Sequence, residues 1–243
     1  MRHYLGLEHA RVLRTPYWSL GREGIHDAVR ERAIASITGP PGTGKSFLLD
    51  CVAAELKDPV LRIEFNQRPT MLSVTDLLLE ALTDEVIKGR TYQKIKPLAA
   101  QLAIRRTIFV DEAQRLNREC LDHLRYLHDR DDTDFCLVLA GGEGCWEVLG
   151  SEPQLRRRIY RPVFFRPLTL EEILVAIPKF HPIWASTPTS LIERIDVEFA
   201  QGKLGNWASV TKTMESALDG TKSPTAEVVL ATLVRHGVLD GAG

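Results

Sequence analysis

Eight residues, Gly39-Pro40-Pro41-Gly42-Thr43-Gly44-Lys45-Ser46, constrain this chain more than any other stretch. They follow an apolar-leaning run, Ala33 to Thr38, and open an apolar-rich segment, Phe47 to Leu56. Strand, glycine loop and helix in that order are the context a phosphate-binding P-loop requires. The glycines let successive backbone N–H groups turn inward on one anion, and the new helix points its positive end at the same place. Lys45 then reaches the β- and γ-phosphates and the Ser46 hydroxyl is placed to ligate Mg²⁺. The binding set predicted for a nucleoside triphosphate is therefore Gly39 to Ser46 together with the first helical residue, Phe47.

A second element answers the first. Thr107-Ile108-Phe109-Val110-Asp111-Glu112 is an apolar run ending in two acids, the pattern of a parallel strand covered on both faces. In P-loop proteins an acid at such a strand end holds Mg²⁺, so Ser46 and Asp111 are the expected metal pair. The next acid, Glu112, is placed to polarise attacking water as a general base, with Lys45 neutralising charge on the phosphates. A third element is Gln154-Leu155-Arg156-Arg157-Arg158-Ile159-Tyr160-Arg161. Charge-rich helix ends are usually solvated faces, but an arginine supplied to a neighbour's γ-phosphate is the competing reading for Arg156, Arg157 and Arg158.

Strand patterns recur at Val60–Phe65, Phe135–Ala140 and Pro162–Phe165, and helical spacing at Gly24–Arg32, Met71–Ile87 and Leu116–His128. Alternation of this kind predicts an α/β fold with a mostly parallel central sheet flanked by helices. From Leu168 onward there is no strand pattern, only three or four helices broken by prolines and glycines, so the expected division is 1–167 and 168–243. Thr15-Pro16-Tyr17-Trp18 is a turn whose aromatics pack beneath the domain, with an adenine pocket as the alternative use of this edge.

A net charge of −1 excludes a polycation, so any contact to nucleic acid needs a local basic patch. The most basic stretch is Lys88-Gly89-Arg90-Thr91-Tyr92-Gln93-Lys94-Ile95-Lys96; Lys88, Arg90, Lys94 and Lys96, with Arg68, are the predicted phosphate contacts. The base-rate reading of the same run is a solvated loop and helix start. Cys51, Cys120, Cys136 and Cys145 include no C-x-x-C pair and read as reduced core residues. No apolar stretch approaches the ~20 residues of a membrane span, and Met1 to Leu5 lacks a signal-peptide core. The expected location is cytoplasmic.

The combination resembles AAA+ ATPases, and within them the TniB/TnsC/MuB-like regulators of DNA transposition. The resemblance covers about residues 15–220. It rests on Gly39–Ser46, on Arg68-Pro69-Thr70, and on Val110-Asp111-Glu112-Ala113-Gln114-Arg115-Leu116 followed by a helix containing Leu124-Arg125. Ser151-Glu152-Pro153-Gln154-Leu155-Arg156-Arg157-Arg158 completes it. The resemblance implies a P-loop AAA+ domain with a small C-terminal helical lid and ATP with Mg²⁺ as cofactors. It also implies ATP-dependent self-association into a ring or helical filament on duplex DNA. Such a protein marks target DNA and recruits or activates a transposase, with hydrolysis resetting the assembly. Two positions depart from the family. Gly141-Gly142-Glu143 stands where a polar sensor residue is usual, and Trp207-Ala208-Ser209 after Gly205-Asn206 offers no sensor arginine, Lys212 being a poor substitute. Both fit slow, assembly-stimulated hydrolysis. Alternative identities are a helicase-loader or IstB-like protein, an ExeA-like ATPase, and a nucleotide-dependent scaffold that does not hydrolyse.

Overall fold

The computed structural model of the 243-residue chain describes residues 6–65, 67–84, 86–218 and 223–238. Met1 to Leu5, read above for targeting, and Asn66, read as part of a strand break, lie outside them. The chain forms two compact units, one of Tyr17–Pro40 and Lys45–Phe165 and the other of Met1–Pro16, Pro41–Gly44 and Arg166–Gly243.

The first unit is a five-stranded, wholly parallel sheet with helices. Its strands are β1 (Ile34–Thr38), β2 (Val60–Glu64), β3 (Arg106–Asp111), β4 (Phe135–Gly141) and β5 (Ile159–Phe164), in the order β2-β3-β4-β1-β5. β1 and β4 are buried at every residue, as strands covered on both faces are; β4 is an unbroken apolar run, whereas β1 also buries Ser36 and Thr38. β5 is an edge, which is why it tolerates Pro162 in mid-strand: no second neighbour asks that residue for an N–H. The helices of this unit are α1 (Pro16–Glu31), α2 (Lys45–Glu55), α3 (Met71–Thr83), α4 (Thr91–Leu102), α5 (Arg118–His128), α6 (Cys145–Gly150) and α7 (Pro153–Arg158).

The first helix begins eight residues earlier than its hydrophobic spacing predicts. Gly21 and Gly24, which weaken a helical reading of the sequence, are there for contact. A Cβ on Gly21 would lie 2.5 Å from Leu48 and 3.2 Å from the Phe165 ring, and one on Gly24 3.3 Å from Val163. Trp18 is buried and Tyr17 meets the Phe165 ring at 6.2 Å, so both aromatics pack on the domain. A core of Leu78, Leu98, Ile108, Val110, Leu121, Leu124, Leu137 and Leu139 fills one face of the sheet. Each such side chain stabilises the fold by about 1.5–3 kcal/mol relative to exposure.

The second unit carries α8 (Leu170–Phe180), α9 (Thr189–Ile195), α10 (Leu204–Ala217) and α11 (Ala226–Arg235). α9 runs on into one π-helical turn, Asp196–Ala200. Trp184 and Trp207 meet edge-to-face at 5.3 Å in its core. Both indole N–H groups are satisfied, Trp184 donating to Thr211 Oγ1 at 2.9 Å and Trp207 to Asp196 Oδ1 at 3.0 Å. Among the described residues, no helix is long and apolar enough to cross a membrane.

Candidate nucleotide site

β1 delivers the loop and α2 receives it, as the flanking sequence demands. Gly39 has φ +143°, and a Cβ there would stand 2.2 Å from the Phe165 carbonyl oxygen. The end of β5 is drawn in by a hydrogen bond from the Phe165 N–H to Thr38 O (2.7 Å), so only glycine fits the loop's first position. Lys45 is buried, and its ammonium donates to the Gly39 and Pro40 carbonyls, each at 2.7 Å. Burial pushes its pKa down, while the Asp111 and Glu112 carboxylates act in the opposite sense. The three charges therefore share one small region at the carboxyl end of the sheet.

Sequence placed Ser46 and Asp111 together, and they are: Ser46 Oγ donates to Asp111 Oδ2 at 3.2 Å. A hydroxyl beside a buried carboxylate is an all-oxygen donor set that suits a hard divalent cation such as Mg²⁺. One partner of this pair was not expected. Arg62, from the centre of β2, donates to Asp111 Oδ2 with one arm and to Asp50 Oδ1 with the other. The only sequence signal was a lone arginine inside the apolar run Val60–Phe65, which periodicity alone marks as a solvent-facing residue.

Glu112 follows in a left-handed conformation, φ +54°, uncommon for a residue with a side chain. Its N–H donates to Asp111 Oδ1 at 2.9 Å, and it begins a short 3₁₀ turn, Ala113–Arg115. That turn brings Gln114 back onto Glu112, whose Oε2 accepts from Gln114 Nε2; Arg115 lies 3.8 Å from the same oxygen. The helical pattern predicted from Leu116 starts only at Arg118, because the 3₁₀ turn and the Asn117 cap precede it.

The three arginines of α7 are exposed but differ in their partners. Arg156 stacks over the Trp146 ring, 4.8 Å to its centroid, and Arg158 pairs with Asp129 at 3.2 Å. Arg157 makes no ion pair or hydrogen bond among the described residues, so its guanidinium faces solvent. The predicted basic cluster is thinned by one member. Lys94 is buried and its ammonium pairs with Asp76 at 2.5 Å, because α4 turns this position into the face that packs on α3. Arg68, Lys88, Arg90 and Lys96 remain exposed. Arg90 lines, with Tyr92 and Tyr126, a cavity of about 620 Å³ that also carries Glu119 and Asp122.

Within the helical unit, the Gly205 N–H donates to the Gly42 carbonyl at 2.8 Å, and Lys203 lies against Gly42. Lys203, at the cap of α10, was not singled out by sequence. Nothing distinguishes it from a surface lysine until the loop is seen beside it.

A parallel sheet ordered β2-β3-β4-β1-β5, with a P-loop after β1 and paired acids after β3, agrees with direct comparison. The sequence profile described as an AAA domain matches residues 28–149. The chain belongs to the AAA domain family. No curated protein matches it. Solved structures match over nearly its whole length at low identity, which establishes the fold alone. Cdc6p from Pyrobaculum aerophilum is 17% identical, with 99% of this chain and 72% of that one covered and a TM-score of 0.74. The ORC2 protein of Aeropyrum pernix, solved in ADPNP–ADP complexes, is 17% identical over 96% and 71%, with a TM-score of 0.67. RuvB of Thermotoga maritima, a Holliday junction branch migration motor, is 16% identical over 92% and 70%, TM-score 0.58.

Proposed function

We propose that this AAA protein is an ATPase that assembles on duplex DNA and regulates transposition, marking target DNA and recruiting or activating a transposase. The observation that carries the ATPase half is the convergence of Lys45, Ser46, Asp111 and Glu112 at one end of the sheet. Each has a distinct job. Lys45 would meet the β- and γ-phosphates, Ser46 and Asp111 would hold Mg²⁺, and Glu112 would take the proton of the attacking water. Bound Mg²⁺ would neutralise charge on the phosphate oxygens. Arg157 is the side chain best suited to reach a neighbouring protomer, since Arg156 and Arg158 already have partners.

The transposition half rests on the Asp111-Glu112-Ala113-Gln114 continuation and on Ser151–Arg158. DNA contact would fall to Arg68, Lys88, Arg90 and Lys96, all to phosphate, giving little sequence preference and steep salt dependence.

Fluorescent duplex DNA titrated with and without a non-hydrolysable ATP analogue tests this reading. Binding that appears only with the analogue is expected; equal, weak binding in both states would sink it. A second reading, a nucleotide-dependent scaffold without hydrolysis, is favoured by the absence of a polar side chain at Gly141-Gly142. Phosphate release by the wild type, abolished in Glu112→Gln, would discard it.

A further inference from the structure

The end of β4 lacks a polar side chain, yet it is not without a polar group. A Cβ on Gly141 would lie 2.5 Å from Gln114 Oε1 and 2.5 Å from Cys145 Sγ, so the space a side chain would take is already filled. A Cβ on Gly142 would meet only Gln114, 3.3 Å from Nε2 and 3.7 Å from Cδ. The carboxamide is held at both ends. Its Oε1 accepts from the Gly142 N–H at 2.9 Å and its Nε2 donates to Glu112 Oε2.

This bridge has one chemical solution among side chains of its length. A backbone N–H can only donate and a carboxylate can only accept, so the group between them must accept at one end and donate at the other. Glutamine does so. Glutamate would set one carboxylate against another, methionine offers neither bond, and lysine cannot accept from Gly142. The Gly142 N–H also fixes which way the amide faces, directing its NH₂ to Glu112.

We infer that Gln114 is the positioning residue for Glu112, and that its carboxamide, delivered from the Glu112 turn, replaces the polar side chain missing at the end of β4. It ties the general base to the main chain of β4, leaving Glu112 Oε1 for water. The restraint matters for Glu112 because misplacing a catalytic group by about 1 Å can cost about a hundredfold in rate. The inference rests on the hydrolysis reading above.

The test uses the full chain with saturating Mg²⁺ and duplex DNA, measuring phosphate release against ATP concentration for wild type, Glu112→Gln, Gln114→Met, Gln114→Ala and the pair Gln114→Ala with Gly142→Asn. The pair returns a carboxamide from position 142, whose Cβ has room once Gln114 is truncated. Gln114→Met, of similar shape, is expected to lose tenfold or more in kcat with KM within about twofold. The paired variant should recover part of that loss relative to Gln114→Ala alone, a rescue that a merely structural role would not give. If Gln114→Met keeps or exceeds wild-type kcat, or if the added asparagine rescues nothing, Gln114 does not position the base. Wild-type release no faster than Glu112→Gln would overturn the hydrolysis reading and this inference with it.

Discussion

Arg62 holds the carboxylate that Mg²⁺ would need, so the two cations compete for Asp111. Replacing Arg62 with Gln keeps a polar side chain on β2 but removes the charge. At about 4 Å and an effective dielectric near 20, a unit pair interacts by about 4 kcal/mol, an upper bound here. The Arg62 side chain is 34% exposed and divides its charge between Asp111 and Asp50, so solvent screening brings the competition to about 1 kcal/mol. That converts to about a fivefold lower half-saturating Mg²⁺ concentration. The measurement is binding of a fluorescent ATP analogue as free Mg²⁺ is varied. Asp50→Asn supplies the opposite sign: with its other partner gone, Arg62 falls wholly to Asp111, and the Mg²⁺ requirement should rise about twofold. If Arg62→Gln leaves the midpoint unchanged or raises it, Arg62 supports Asp111 rather than competing for it.

Glu112→Gln should leave nucleotide binding within about twofold while prolonging the ATP-bound assembly, followed by size-exclusion chromatography after ATP is removed; wild-type lifetimes would clear Glu112 of its role. Arg157→Ala should lose most assembly-stimulated turnover, about a hundredfold or more, yet keep nucleotide affinity, whereas undiminished turnover points instead to Arg156 or Arg158. Lys88→Ala and Lys96→Ala should each lower the salt slope of DNA binding by about one. Lys94→Ala should leave that slope alone and cost stability in urea, since it strips a partner from Asp76. His123 is buried and shares a hydrogen bond with Thr75 Oγ1, His128 is half-buried and donates from Nε2 to Arg32 O, and desolvation pushes both pKa values below the ordinary range. The unfolded chain therefore binds more protons than the folded one below about pH 6.5. Unfolding free energy should fall as pH drops through that region, by up to about 1.4 kcal/mol per pH unit for each histidine, and a flat profile from pH 7 to 5.5 would contradict it.

The residues legible in the sequence are those whose chemistry is tied to a local pattern. Gly39 to Ser46 announce a loop because glycine spacing and the following helix are contiguous, and Asp111-Glu112 because acids cap an apolar run. Fold class followed from the same alternation, and the parallel sheet is as expected. What escaped reading depends on contacts distant in sequence. Arg62 looks like a surface residue until β2 is known to lie beside β3, where it meets Asp111. Lys94 looks like a phosphate ligand until α4 packs on α3 and hands it to Asp76. Gly21 and Gly24 hid the start of α1 because propensity penalises glycine, while close approach to Leu48 and Val163 requires it. Gln114 was visible as a letter in a motif; its purpose became visible only with Gly141 and Gly142 beside it.

The position of β1 in the sheet has a consequence for how the chain is made. Its partners are β4 and β5, with Ile34 opposite Leu137 on one side and Ile159 on the other. Both lie roughly a hundred positions or more downstream. A growing chain thus carries a strand bearing Ile34, Ala35 and Ile37, with two open edges, until both partners have been made, the exposure that invites pairing with other chains. Gly39 to Ser46 follow β1 directly, yet the strands that hold β1 in place emerge long after that loop. Chains arrested before β4 should collect as aggregates rather than as a smaller nucleotide-binding domain.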